Sequence, residues 1–301
     1  MRYQHNRLQQ LRGFYYAARM KSMSRAAEQM SLSQPTVSLQ IQALERQLQT
    51  KLFERRGPRI RLTRDGETLL EMVRPLVEGV DRLDEDFVSR RGSVATGTVN
   101  VAAGGSTLQY ILPSIIGAYV HEYPLVDLRL HNVTGKRGLE LLRAGEVDLA
   151  IGPLFDVPSD VVFHPLVTYE PMLIAARVHP LAQRKRISLK LVAQYPLILP
   201  PREQSTYRIV EMVFAEHSLQ HEVKLEIGGY EVIKTYVKLG LGISIVMSHC
   251  LGKKEDLYTA PLKRWFPQRD YGLVLLKGRA PSPVAQRFMD VVSRNVKRLA
   301  P

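Results

Sequence analysis

Apolar positions follow two rhythms along this chain. Up to about Arg64 they recur at helical spacing between short polar turns, and beyond about residue 98 they gather into short β-branched runs. In SLSQPTVSLQIQALERQ (31–47) and the residue just past it, Val37, Ile41, Leu44 and Leu48 recur at intervals of four, three and four, so they share one face of a helix. Ser33 is placed to cap that helix, and Pro35 is tolerated in a first turn, where backbone N–H groups lack helical partners. The opposite face carries Pro35, Leu39 and Arg46. Thr36, Ser38 and Gln42 flank it, and Gln34 projects from its N-terminal end. The preceding SRAAEQMSLS predicts a short helix capped by Ser24 and running through Ala26, Ala27 and Met30, with Ser31-Leu32-Ser33 as a tight turn. Two helices joined this closely form a helix-turn-helix.

Further along, Leu69, Val73, Leu76, Val80, Leu83 and Phe87 are spaced by four, three, four, three and four. That heptad seam suits packing against a second copy of the same helix, the alternative being a helix that lies on its own domain. Thr63 is its expected cap, and Asp65 and Glu67 suit its positive end. Pro75 and Gly79 predict a kink, because an internal proline removes one helical hydrogen bond. After the Gly/Ser/Thr-rich joint RRGSVATGTVN, strand-like runs appear at VNVAA (99–103), VDLRLHN (126–132), DLAIG (148–152), PMLIAARV (171–178), PLILP (196–200), KLEIGG (224–229), GISIVMS (242–248) and YGLVLLK (271–277). Helical segments such as LQYILPSIIGAYVHEY and YEVIKTYVKLGL lie between them, which predicts mainly parallel sheets flanked by helices.

Charge sharpens this division. The 301 residues carry a net +13, and residues 1–64 hold 13 Lys/Arg against 3 Asp/Glu, whereas residues 65–90 hold 3 against 8. The positive excess is densest at the N-terminal end, where a polyanion would be met. KLFERRGPRIRLTRDGE follows the helix pair, and Gly57-Pro58 divides it into two extended pieces. The resulting hairpin carries Arg55, Arg56, Arg59 and Arg61, with Lys51 and Arg64 beside it. A hairpin wing next to a recognition helix lays such cations on phosphates and makes binding salt-dependent. In the helix, the Gln34 amide can pair with an adenine edge, Thr36 or Leu39 can touch a thymine methyl, and Ser38 suits a phosphate.

The same composition argues against other classes. No apolar run reaches the roughly 18 residues that span a bilayer. The start, MRYQHNRLQQLRGFYY, lacks the apolar stretch of a secretion signal, so a cytoplasmic protein without membrane attachment is expected. The single cysteine, Cys250, leaves no disulfide framework and no cysteine-rich metal site, and the eight histidines show no ligand spacing. Cys250 beside His249 is not by itself a nucleophile–base arrangement. Gly240-Leu241-Gly242 is too short for a dinucleotide fingerprint. The expectation is therefore no enzyme, no metal and no cofactor.

The stretch RAAEQMSLSQPTVSLQIQALERQLQTKLFERRGPRIRLTRDGE resembles the winged helix-turn-helix of LysR-type transcriptional regulators nearly position by position, most specifically in Ser-Gln-Pro and LFERR…RLT. Leu39 stands where many relatives carry a basic residue, which implies an altered base preference. The resemblance implies an α+β multidomain chain: a winged helix-turn-helix over 1–63, a linker (dimerisation) helix over 64–91 and an α/β effector-binding domain over 92–301. That last domain would share the architecture of periplasmic solute-binding proteins, with subdomain I over about 97–168 and 268–301 and subdomain II over about 169–267. It further implies DNA contacts from Gln34, Pro35, Thr36, Ser38, Leu39, Gln42, Arg55, Arg56 and Arg59. The implied partners are a double-stranded inverted-repeat operator, RNA polymerase, a small-molecule effector, and other copies of the chain as a homodimer or homotetramer.

Three loops are candidates for holding that effector. In VNVAAGGSTLQYILP, Gly105, Ser106 and Thr107 would stand at a strand end and helix start, suited to a carboxylate or oxyanion, with plain capping the alternative role. In LPPREQSTYRI, Gln204, Ser205 and Thr206 precede a helix and Arg202 would supply charge; the alternative is a surface loop. In KLEIGGYEVIKTYVKLGLGISIVMS, Gly229 separates strand from helix. Its VIKTYVKLGLGISI portion is similar to the cysteine-regulon branch of the family, whose members sense sulfur metabolites, but the first loop has Gly104 and Gly105 where that branch has side chains. Two further readings stay open: a solute-binding module whose basic N-terminus serves another association, and a regulator with no effector.

Overall fold

The computed structural model describes residues 6–56, 59–81, 83–84, 87, 96–252 and 255–295. The chain divides into two compact units, Met1–Ser93 with Gly278–Ser282, and Val94–Lys277 with Pro283–Pro301.

In the first unit α1 (Arg7–Met20), α2 (Met23–Gln29) and α3 (Gln34–Leu48) enclose one core. Phe14, Ala17, Ala26, Ala27, Val37, Ile41 and Leu44 fill it. Ser22, not Ser24, caps α2: its backbone is extended and its Oγ accepts from the Arg25 N–H at 3.3 Å. The helix therefore starts one residue before Ser24, which lies in the first turn. Ser33 caps α3 by accepting from Thr36 N–H at 3.3 Å. Leu48 leaves the buried row because the chain turns at Gln49, whose φ is 54°, and the last turn overhangs solvent. The two-stranded wing β1 (Phe53–Arg56) and β2 (Arg59–Leu62) follows, with Phe53 opposite Leu62.

α4 (Arg64–Asp81) starts on Thr63, whose Oγ1 accepts from Gly66 N–H at 3.0 Å, and continues through Pro75. The heptad seam divides here. Leu69 and Val73, joined by Val77, pack into the core of the first unit. Tyr15 donates to Glu78 Oε1 at 2.8 Å, and Tyr16 and Arg12 hold Asp81, so this face of α4 is fastened to α1. The exposed apolar row is Met72, Leu76, Val80, Leu83 and Phe87. Sequence spacing merged two neighbouring stripes into one, because positions three or four apart are neighbours on either stripe.

The second unit holds two lobes, each with its own sheet and core. Lobe I is a five-stranded sheet in the order β4-β3-β5-β12-β6, built from β3 (Gly97–Ala103), β4 (Val126–Asn132), β5 (Leu149–Pro153), β6 (Val161–Tyr169) and β12 (Arg269–Leu276). Helices α5 (Pro113–Glu122), α6 (Gly135–Ala144) and α10 (Pro283–Asn295) flank it. Lobe II has a three-stranded sheet, β10-β7-β11, made of β7 (Pro171–Ala175), β10 (Ser244–Met247) and β11 (Tyr258–Pro261). Around it lie α7 (Leu189–Val192), the parallel pair β8 (Leu197–Leu199) and β9 (Val223–Glu226), and helices α8 (Ser205–Glu216) and α9 (Tyr230–Lys238).

The sheets are mixed rather than mainly parallel. β3 runs parallel to β4 and β5, but β12 is antiparallel to β5 and β6, and β7 is antiparallel to β10 and β11. The chain leaves lobe I through β6 into β7 and returns from β11 into β12, and the returning strand β12 must run against its neighbours. β6 and β11 are the strands the hydrophobic pattern did not announce, since His164-Pro165 interrupts the apolar run of VVFHPLVTY and YTAP is only four residues long and ends in a proline. No helix among the described residues is long and apolar enough to cross a membrane.

Candidate functional site

On α3 the buried row Val37, Ile41 and Leu44 leaves the other face free. Gln34, Pro35, Leu39 and Gln42 are exposed, and Thr36 and Ser38 are half-buried beside them. Leu39 is 61% exposed, an apolar side chain held out on a polar face. The Gln34 amide donates to Ser38 Oγ at 2.9 Å, and Ser33 and Thr36 hydroxyls meet at 2.7 Å, so the groups that would read a duplex are ordered among themselves.

The wing is fixed to α3 by one carboxylate. Glu45 is buried and accepts from the Leu52 N–H at 2.8 Å, the Phe53 N–H at 3.4 Å and Lys51 Nζ at 2.9 Å. Burial alone would raise its pKa, but these donors outweigh it and hold the carboxyl below its ordinary value. β1 and β2 place Arg55 opposite Ile60 and Arg56 opposite Arg59; the side chains of Arg55, Arg56 and Arg59 lie outside the described residues.

In the second unit the chemistry collects where the lobes meet. Ser106 and Thr107 open a π-turn (Thr107–Ile111), and Ser106 makes no capping hydrogen bond. Thr107 is 1% exposed, and its Oγ1 is buried without a hydrogen-bond partner among the described residues. Gly105 lies beside Asn132, 3.6 Å from where its Cβ would stand. From lobe II, α8 presents Ser205 and Thr206 behind Gln204, whose side chain makes no capping bond. Gly229, at φ 86°, starts α9 in the conformation that favours glycine.

Between these elements stands Arg269, the first residue of β12, 5% exposed. Its Nη1 donates to Thr206 Oγ1 at 2.9 Å and reaches Ser205 Oγ at 3.4 Å, while its guanidinium lies over the Phe155 ring at 5.4 Å. Nε is buried without a hydrogen-bond partner among the described residues. Tyr230 closes the group through a 2.8 Å hydrogen bond with Thr206. Arg269 is thus a buried cation facing the positive end of a twelve-residue helix, with no ion pair to it among the described residues.

The profile described as "Bacterial regulatory helix-turn-helix protein, lysR family" matches residues 8–67, and the "LysR substrate binding domain" matches residues 92–297. The chain belongs to the LysR family of transcriptional regulators. Similar relatives include the RuBisCO operon transcriptional regulator of Allochromatium vinosum, 29% identical with 98% of both chains covered. The HTH-type transcriptional activator CmpR of a Synechocystis species is 31% identical, covering 94% of this chain and 93% of its own. Among solved structures, the cofactor-binding domain of the Cbl regulator is 27% identical, with a TM-score of 0.61 over 67% of this chain and 92% of that one. Full-length OxyR from Pseudomonas aeruginosa shares the fold, with 22% identity and a TM-score of 0.68 over 98% and 96% of the two chains.

In this LysR-family regulator the expected effector loops meet unequally. Ser205 and Thr206 are joined to the buried cation, and Ser106 lies close enough to Tyr271, two residues beyond Arg269, to lower a hydroxyl pKa that burial otherwise raises. Arg202 is not part of this group: it pairs with Glu226 at 3.5 Å, stacks over Tyr207 and is largely exposed, so its charge is spent on the surface. The buried cation joined to Ser205 and Thr206 is Arg269, which the sequence did not single out, nor did it single out Phe155, Tyr230 or Tyr271. A basic residue opening a strongly apolar strand was the available signal, since a charge at that place is buried only with a partner.

Proposed function

We propose that this regulator reads an inverted-repeat operator through the exposed face of α3, with the wing arginines on the phosphate backbone, and that a small organic anion in the second unit switches it. The carrying observation is Arg269: a buried guanidinium that faces a helix N-terminus and two hydroxyls, with no ion pair among the described residues. Burying a charge without a counter-charge costs several kcal/mol, on the order of the gain when an anion enters. Relatives support the class of ligand. The regulatory domain of CcmR from Synechocystis, which shares the fold at 23% identity and a TM-score of 0.63, is described in complex with 2-PG, and the effector-binding domain of QuiR in complex with shikimate.

The row Met72, Leu76, Val80, Leu83 and Phe87 supplies the apolar stripe by which two copies pair as a homodimer, placing two α3 helices on one two-fold axis. A homotetramer of two such dimers, and contact with RNA polymerase, extend that reading from the family. CbnR, which shares the fold at 24% identity and a TM-score of 0.56, is described with its target DNA. A regulator that binds DNA works in the cytoplasm. No enzymatic role belongs to this reading: burial pushes the Cys250 thiol up to about 12, leaving almost no thiolate to act as a nucleophile.

The test is a gel shift on duplex DNA together with thermal unfolding in sulfate. Salt-sensitive, sequence-specific binding is expected, and sulfate should stabilise the wild type but not Arg269→Gln. Equal stabilisation of both proteins would remove Arg269 from the anion site.

A further inference from the structure

His249 sits on the short turn Ser248–Cys250 that follows β10, and this turn packs against the π-turn bearing Thr107 and Tyr110. Three tyrosine rings enclose its imidazole: Tyr169 at 4.5 Å, Tyr271 at 4.8 Å and Tyr110 at 6.1 Å between centroids. Both ring nitrogens are buried, and neither has a hydrogen-bond partner among the described residues. Thr107 Oγ1 is in the same condition on the facing element. Buried polar atoms without partners are uncommon and each costs about 1–3 kcal/mol. These three atoms lie on two turns that pack together, and β12 carries Arg269 and Tyr271 on alternate residues, hence on one side of the sheet, with the Tyr271 ring against the imidazole.

The chemistry of these atoms is specific. Burial, and then the charge of Arg269, hold the His249 pKa down at about 3, so the ring is neutral near pH 7 and offers one N–H donor and one acceptor nitrogen. A second carboxylate cannot use the acceptor nitrogen. Nor is a spare cation at hand to offset its charge, since Lys234, over the Tyr110 ring at 5.3 Å, is already paired with Glu231 and Glu255. A hydroxyl can donate to one nitrogen or accept from the other, and it can do the same with the Thr107 hydroxyl. On the reading of Arg269 as the anion anchor, we infer that His249 and Thr107 form a second, uncharged pole of the effector site that selects hydroxy acids over the corresponding unsubstituted acids. Arg269, Ser205 and Thr206 take the acid group, and the imidazole and Thr107 Oγ1 take the hydroxyl.

Lactate and propionate differ by that one hydroxyl and serve as probes on the full-length protein, with affinities read by calorimetry. Wild type should favour lactate by about tenfold or more, the scale of one well-formed hydrogen bond to a buried group. His249→Phe, which fills the cage and removes both nitrogens, should bring the ratio close to one, while His249→Gln, which keeps a donor and an acceptor, should retain most of it. Thr107→Val is the second variant should His249→Phe fail to fold, and it should also lower the ratio. Sulfate stabilisation should be unchanged in the two His249 variants. A wild type that binds lactate and propionate alike, or neither, overturns the inference, as does a ratio that survives both His249→Phe and Thr107→Val. Failure of sulfate to stabilise the wild type, or its full effect on Arg269→Gln, strikes the anion reading instead.

Discussion

The Tyr110 hydroxyl donates to Glu231 Oε1 at 2.5 Å, joining the π-turn of lobe I to the first turn of α9 in lobe II. Glu231 also pairs with Lys234 Nζ at 2.6 Å, and Lys234, buried, reaches Glu255 and the Cys250 carbonyl as well. Burial alone would lower the Lys234 pKa, but its two carboxylate partners outweigh it and raise it. The clasp is therefore a charged network in lobe II with one tyrosine reaching into it from lobe I.

Tyr110→Phe removes only the cross-lobe bond, because Lys234 still satisfies Glu231. A hydrogen bond to a charged acceptor contributes about 1.5–3 kcal/mol. For a unit of this size that lowers the melting temperature by roughly 3–12 °C. Amide exchange should quicken in the π-turn and the start of α9 and stay unchanged in the lobe I sheet. Uniform quickening would mean that the bond supports lobe I itself rather than the join.

Glu45→Gln should loosen the wing. The substitution keeps the side chain's shape but removes the charge that Lys51 and two backbone N–H groups share. Because the folded pKa is held below its ordinary value, the stability Glu45 adds is present above the unfolded carboxylate range and is lost as pH falls through the folded value. Near pH 7 the variant should be less stable by about 1–3 kcal/mol, and the difference should shrink below about pH 4. Urea unfolding of the first unit's signal at the two pH values measures both.

How much of this was written in the sequence differs by element. The α3 face was legible because one amphipathic helix declares both its buried row and, by subtraction, its free one. The wing was legible because Gly-Pro between two basic runs leaves few other folds. α4 was only half legible: Val73 and Leu76 look equivalent in spacing, and only packing against α1 separates the inward residue from the outward one. Arg269 was missed because its importance comes from residues 63 and 64 positions away, Thr206 and Ser205, which no local pattern connects to it. His249 was passed over for a similar reason, since its three tyrosines come from three separate segments.

The corrected stripe on α4 makes the dimer test sharper than spacing alone allowed. Leu76→Glu should shift sedimentation toward monomer and weaken operator binding, because Leu76 is exposed on the row assigned to the partner helix. Val73→Ala should instead destabilise the first unit by about 1–3 kcal/mol while leaving association intact, since Val73 is in its core. If Val73→Ala dissociates the dimer and Leu76→Glu does not, the two stripes have been assigned the wrong way round.

Arg55→Ala and Arg56→Ala should each weaken DNA binding without changing the preferred sequence. Each phosphate left without its arginine makes the slope of log affinity against log salt shallower by about 0.9. Gln34→Ala and Thr36→Ala should do the reverse, changing base preference while leaving the salt slope alone, if the exposed Gln34 and half-buried Thr36 are readers of base edges as proposed. Competition gel shifts at several salt concentrations separate these effects. If all four variants lose affinity equally for specific and random duplexes, with one common change of slope, α3 serves only to grip phosphates and the reading of sequence must come from elsewhere in the first unit.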